Sequence, residues 1–362
     1  MKIFNRYFWQ EISINILMFM LGLLAMFSFF DLMQELDSLG QGNYGLGKVL
    51  EFVLLSIPGH IYEVVPVAVL VGMMYGLGTL ARNSELVVMR ASGLSLANIG
   101  SMLIKVGLLF TLITFLVGEL ITPISEKMAQ RMRIKATDSV MAQDFKSGLW
   151  VKDGKSFVHA EAVLPDASLL NVRIYEFDEN FKLRSISIAK KGAFTDERWG
   201  LTEVTQTKFN TFKKIEQNNV QTQFFNKADW VSLIQPELLN VLLVAPEKMS
   251  AWNLYSFIDY LETNKQKATR YEVALWSKMI YPLACMVMVI LALPFGFLQQ
   301  RAGGTSAKIF IGIMLGVAYQ IMNRVFIHLG VLNDWPPLMS AITPTILFLM
   351  AGLSLLIMIE RR

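Results

Sequence analysis

Apolar residues run almost unbroken through Ile12–Phe30, Val64–Thr79, Leu96–Leu120, Val273–Leu298, Ile309–Leu332 and Leu338–Ile359. Each run is long enough, or nearly so, for a helix to cross the hydrocarbon of a bilayer. Between the third and fourth runs the pattern changes. Short segments with period-two or β-branched character occupy Ser156–Val163, Leu170–Phe177, Leu183–Ala189, Trp199–Phe209 and Val220–Phe225. Turn residues separate them, notably Asp153-Gly154, Asp178-Glu179-Asn180 and Asp196-Glu197. Strands at such spacing, with no long helical pattern between them, predict an all-β sandwich or jelly roll. The expected fold class is an α-helical polytopic membrane protein with six transmembrane helices and a β-jellyroll-like domain. Its expected divisions are residues 1–135 for spans one to three, with a short helix at about 82–93; 136–250 for the β domain; and 251–362 for a connecting helix and spans four to six.

Composition supports that class. With 54% hydrophobic and 17% charged residues and a mean hydropathy of +0.44, the chain is too apolar for a soluble protein. The single cysteine, Cys285, lies inside an apolar run and cannot build a disulfide framework or a thiolate metal site by itself. The first run follows Lys2 and Arg6 as a signal peptide would, yet it is too long for a signal core and lacks a small-x-small pattern before Asp31, so it reads as an uncleaved span. The net charge of +4 reports orientation more than an acidic partner. One side carries Lys2, Arg6, Arg82, Arg90, Arg301, Lys308, Arg361 and Arg362; the short connections of the other offer only Lys48. The positive-inside rule then puts both termini and the helix at about 82–93 in the cytoplasm. The β domain falls on the opposite side, and its lack of cysteine fits a periplasm at least as well as a cell exterior. Pro294 is expected to bend or close the fourth span.

Three groups of polar residues are candidates for chemistry. The break LARNSELVVMRASG at Leu80–Gly93 places Leu86, Met89 and Gly93 on one side of a short helix with Glu85 and Arg90 beside them, Ser84 as N-cap and Gly93 as stop. A plain solvated connector accounts for the same residues. Beyond the third span, Lys127, Arg131 and Lys135 repeat every fourth residue with Arg133 nearby, a stripe suited to phosphates and equally to snorkelling anchors. Asn323, Arg324 and His328 lie in the fifth run, but Arg324 is sixteen residues past Lys308, roughly 24 Å along a helix, and reaches the outer interface more readily than it serves a proton relay. Gly72 with Gly76, and Gly312 with Gly316, form small-xxx-small faces that bring helices close.

Other motifs fail. Gly42 to Lys48 matches the start of a phosphate-binding loop, but Val49 stands where a magnesium-binding hydroxyl is needed. His60, His159 and His328 share no zinc-ligand spacing. With no nucleotide-binding or hydrolytic constellation visible, any transport draws its energy from elsewhere.

Four stretches are specific together: SELVVMRASG at Ser84–Gly93, GELITPISEKMAQRMR at Gly118–Arg133, GLWVKDGKSFV at Gly148–Val158 and RYEVALWSKMIYPL at Arg270–Leu283. With the six spans and the inserted β domain, the chain resembles the LptF/LptG family of permease subunits over essentially its whole length, and the LWVKDG and WSK stretches look more like the LptG branch. The resemblance implies a non-enzymatic subunit of an ATP-binding cassette transporter that extracts lipopolysaccharide from the Gram-negative inner membrane and passes it to a periplasmic bridge. It implies as partners an LptF-like second permease subunit, an LptB-like cytoplasmic ATPase dimer, an LptC-like membrane-anchored periplasmic protein and lipopolysaccharide, and no nucleic acid. In that family the helix between spans two and three docks into a groove on the ATPase, and its acid matches Glu85, so Glu85, Leu86, Met89 and Arg90 become the expected coupling set. Basic residues around spans one and three meet lipid A phosphates there. Arg133 matches one such position, and Lys127, Arg131, Arg133 and Lys135 become the expected substrate set. Some relatives carry lysines at the outer end of span one; this chain has Asp31, Glu35 and Asp37. An ion-coupled secondary transporter and a non-transporting membrane scaffold are the competing classes, and co-purification with a soluble ATPase separates them from the first.

Overall fold

The computed structural model describes residues 2–91, 93, 96–137, 148–164, 168–195, 198–209, 220–232, 244–297 and 305–360. The chain opens with α1 (Lys2–Leu36), α2 (Leu46–Arg82), the short α3 (Glu85–Ala91) and α4 (Leu96–Leu116). A π-helical turn, Val117–Ile121, joins α4 to α5 (Thr122–Ala136) without a break. Six strands follow: β1 (Leu149–Asp153), β2 (Ser156–Val163), β3 (Leu169–Phe177), β4 (Leu183–Thr195), β5 (Arg198–Phe209) and β6 (Val220–Trp230). A 3₁₀ turn at Pro246–Lys248 leads into α6 (Ala251–Thr263) and α7 (Thr269–Ile280), and a second at Tyr281–Leu283 into α8 (Ala284–Phe297). The last helices are α9 (Thr305–Leu332) and α10 (Pro337–Glu360).

Six helical stretches are long and apolar enough to cross a membrane: Arg6–Leu36, Leu46–Arg82, Asn98–Ala136, Thr269–Phe295, Ile309–Leu332 and Pro337–Met358. The six expected runs are therefore present, but the second and third are parts of much longer helices. At 37 residues, α2 is roughly 55 Å long and projects roughly 25 Å beyond the hydrocarbon. It passes through Pro58 and Pro66 without ending, and the Thr122 hydroxyl donates to the Pro58 carbonyl at 3.1 Å, pinning α5 to it there.

The core of the bundle lies around α2 and α8, where Val65, Val69, Met73 and Leu77 meet Cys285, Met288 and Val289. The glycine faces allow close approach. A Cβ added to Gly72 would lie 2.5 Å from the Ile16 Cα, so the α1 backbone rests directly on α2; one added to Gly316 would lie 2.6 Å from a Val67 methyl.

Among the described residues the strands form one antiparallel sheet in chain order, β1 to β6. Alternation selects its buried face. Val158, Ala160, Val172, Ile174, Ala189, Leu201 and Val204 pack around the fully buried Trp199. Strand β1, unexpected from its pattern, pairs with β2 through a two-residue turn in which Gly154 has φ +59°. This hairpin is fastened to the end of α6: Gly154 N–H donates to Asn264 Oδ1 and Lys152 Nζ to the Asn264 carbonyl, both at 2.9 Å. The Tyr260 hydroxyl completes the joint, donating to the Lys152 carbonyl at 2.8 Å.

Candidate functional sites

Helix α3 stands at the end of α2. Asn83 stops α2 by donating its N–H to the Thr79 carbonyl, and Ser84 turns the chain with φ +61°. Ser84, the expected N-cap, flanks the first residue of α3, and its backbone carbonyl accepts the Val88 N–H at 3.0 Å. At the other end Gly93, with φ +93°, adopts the left-handed conformation of a helix stop. Glu85 is half-buried, accepts from the Asn83 amide at 3.3 Å and lies within hydrogen-bonding reach of Tyr7 on α1. Met89, expected on the partner-facing side, is 2% exposed and belongs to the bundle core with Phe8, Leu80 and Ile99. Its side chain seats α3 on the transmembrane helices, while the adjacent Val88 is 60% exposed and presents the free apolar surface. Periodicity shows that the helix has two faces without showing which one the rest of the chain covers. The side chains of Leu86 and Arg90 lie outside the described residues.

On α5 the four basic residues divide. Arg131 and Lys135 are exposed and Lys127 is half-buried along one side. Arg133, two residues from each of two stripe members, faces elsewhere, since two residues turn a helix through about 200°. Its Nε lies 3.1 Å from the Glu35 carboxylate, and its guanidinium sits 5.7 Å from the Phe52 ring centre. Glu35 is almost fully buried and also accepts from the Tyr44 hydroxyl at 2.9 Å. Burial, then the bond to Glu35 and its charge, push the Tyr44 phenol well up. Asp31 lies 2.5 Å from His60 Nε2, and the His60 ring stacks on Phe27. Two of the three acids at the C-terminal end of α1 are therefore met by the protein's own bases, and the third, Asp37, is exposed on the following turn.

A second polar seam, not anticipated from the sequence, ties the return from the sheet to the bundle. Glu126 on α5 pairs with Lys248 at 3.1 Å. Glu119, in the π-helical turn, accepts the Ala251 N–H at 2.9 Å through either oxygen and lies 4.0 Å from Lys278. Lys278 in turn donates to the Met249 carbonyl. The carbonyl of Glu63 accepts from Tyr281 and Gln320, both at 2.7 Å, and its carboxylate pairs with Arg324 at 3.4 Å. Arg324, two turns before the end of α9, is exposed apart from that pair. The available signal was the acid at positions 63, 119 and 126 inside or beside apolar runs, since an acid held in a membrane needs a partner.

Six helices long and apolar enough to cross a membrane, an antiparallel sheet inserted between the third and fourth, and charged seams define a polytopic membrane protein. The chain belongs to the lipopolysaccharide export system permease LptF/LptG family, which matches residues 6–358. It is 31% identical over 356 residues to the lipopolysaccharide export system permease protein LptG of Escherichia coli K12, covering 98% of both chains. The Escherichia coli O6:H1 protein of the same name matches equally, and that of Haemophilus influenzae is 30% identical over 335 residues, 92% of this chain and 91% of its own. These relatives carry the LptG name, the branch to which the LWVKDG and WSK stretches point.

Proposed function

We propose that this chain is the LptG-type permease subunit of an ATP-binding cassette exporter that draws lipopolysaccharide from the inner membrane and passes it toward a periplasmic bridge. The observation that carries this reading is the family match along nearly the full chain, to relatives of the same length and name. In this reading an LptF-like subunit lies beside it, an LptB-like ATPase dimer binds the cytoplasmic face, and an LptC-like protein receives the lipid. The count of basic residues in the short connections supports cytoplasmic termini and a periplasmic sheet.

The roles divide accordingly. Helix α3, anchored by Met89 and held at Glu85, acts as a rigid lever that passes ATPase movement into α2. The exposed basic side of α5 attracts lipid phosphates, while Arg133 is shared with Glu35. A lipid chain costs about 0.8 kcal/mol per methylene exposed to water, so a many-chained lipid leaving the bilayer needs a sheltered route. The apolar face of the sheet supplies one.

The test is reconstitution of the complex purified from its native membrane into liposomes containing lipopolysaccharide, with a soluble periplasmic acceptor. The expected result is delivery that requires ATP and the co-purified ATPase. Delivery that continues without ATP but stops when ion gradients are collapsed would establish the ion-coupled class instead.

A further inference from the structure

A cavity of about 650 Å³ opens between α2, α7 and α9, with the 3₁₀ turn Pro246–Lys248 at its edge. Its charged lining is nearly but not completely matched. Lys248, Lys278 and Arg324 are taken up by Glu126, Glu119 and Glu63. Arg270 and Glu247 also line it, and among the described residues neither makes an ion pair. Deeper in, the Ser277 hydroxyl is buried without a hydrogen-bond partner, an arrangement that native interiors avoid unless something outside the chain supplies one. The Asn323 amide faces the same space from α9. The site thus offers one unmatched cation in Arg270, one unmatched anion in Glu247 and the hydrogen-bonding groups of Ser277, Asn323 and His328, beside an apolar wall that includes Tyr62 and Ile327.

We propose that this cavity binds the headgroup of an ethanolamine phospholipid. Arg270, Ser277 and Asn323 take the phosphodiester, Glu247 takes the ammonium, and the apolar wall takes the start of one acyl chain. A zwitterion matches the lining, whereas a purely anionic headgroup would leave Glu247 repelled. The depth is right. Lys278, which lines the cavity, bonds the Met249 carbonyl at the approach to α6, and α6 displays Trp252 and Tyr255 at 72% and 59% exposure. Exposed tryptophan and tyrosine mark the headgroup level of a bilayer. The volume is that of a small-molecule pocket, enough for one headgroup and too small for a many-chained glycolipid. The proposal stands without the export reading.

The test is native mass spectrometry of the assembled complex, delipidated and then titrated with phosphatidylethanolamine, phosphatidylglycerol or lipopolysaccharide. The wild type is expected to retain one phosphatidylethanolamine in preference to phosphatidylglycerol. The double variant Glu247→Gln, Arg270→Gln is expected to lose at least tenfold in that retention, and Glu247→Gln alone to reverse the preference. Both residues are exposed, so folding is preserved; Asn323→Phe, which fills the space from α9, is expected to remove the bound lipid as well. Equal retention of the two phospholipids by the wild type, displacement by lipopolysaccharide, or retention unchanged in the variants would overturn the proposal.

Discussion

Within the bundle, α2 and the α7–α8 pair differ sharply from α1, α9 and α10. In their most apolar windows 83% of α2 and 72% of α7–α8 is buried within the chain, against 11% of α1, 17% of α9 and 28% of α10. All are similarly hydrophobic, so hydropathy does not make the difference. Small residues do: Gly72 and Gly76 admit α1 on one side of α2, and Gly312 and Gly316 admit α2 on the face of α9. The inner helices form the buried core of the bundle. The outer helices keep broad apolar surfaces for lipid or for neighbouring subunits. Substitutions directed inward should therefore cost folding, and those directed outward should cost function alone.

The largest effect is expected from Gly72→Leu, which drives a side chain into the Ile16 backbone. Overpacking costs about 1–3 kcal/mol and more where backbone must move, so little folded protein should survive detergent extraction. Gly22→Ala on α1, where an added Cβ meets nothing within 4 Å, should leave the yield and Tm unchanged. Similar losses for both would erase the distinction between inner and outer helices.

Glu85→Lys comes next, since a reversed charge at a docking surface can cost several kcal/mol of association. ATPase co-purification should fall at least tenfold while Met89 keeps α3 seated and Tm changes little; undiminished co-purification would remove Glu85 from the interface. On α5 the comparison can be sharpened within one helix. Replacing Lys127, Arg131 and Lys135 with Gln should reduce lipopolysaccharide photocrosslinking several-fold at constant Tm. Glu35→Ala, by contrast, leaves Arg133 and the Tyr44 hydroxyl without their buried acceptor and should lower stability by about 1–3 kcal/mol. Equal Tm values for the two variants would show that the stripe and the Glu35 pair do not differ in kind.

The smallest effect concerns the joint between the sheet and α6. Burial, helped by the nearby Asp153 charge, pushes the Tyr260 phenol up to about 12 from its usual 10.0. Below pH 10 the phenol is protonated whether the joint is formed or not, and its contribution is complete. Between about 10 and 12 the opened form loses its proton first, so stability falls as pH rises. Hydrogen exchange in β1 should therefore accelerate over that interval in the wild type, and Tyr260→Phe should show no such pH-dependent step from this group.

The spans were legible because six apolar runs of that length have few alternatives. Their true ends were not. Pro58, Gly59, His60 and Glu63 break the hydropathy of α2, yet the helix continues because α1 and α5 cover its polar positions with Asp31 and Thr122. Strand β1 was missed for a similar reason: LWVKD has too short an alternation to stand out, and its place is set by pairing with β2. The charged positions of α3 and α5 were visible, but their orientation was not. Met89 turns inward and Arg133 turns to Glu35 because of residues far away in the sequence, which local periodicity cannot encode.

The π-helical turn at Val117–Ile121 resets the angular phase of the third span. A turn of this kind holds one residue more than a regular helix. It admits the Tyr62 ring against Gly118 and brings Glu119 to the start of α6. Everything beyond it is rotated by about 100° relative to an uninterrupted helix. The bearing of Glu126, Arg133 and the basic stripe is thus set by a single residue of chain length, not by the charges themselves. Deleting one residue there would leave a span of almost the same length and hydropathy, with its charged sector aimed a quarter-turn away from Lys248 and Glu35. Along this helix, a one-residue insertion or deletion is a steering change that no substitution could reproduce.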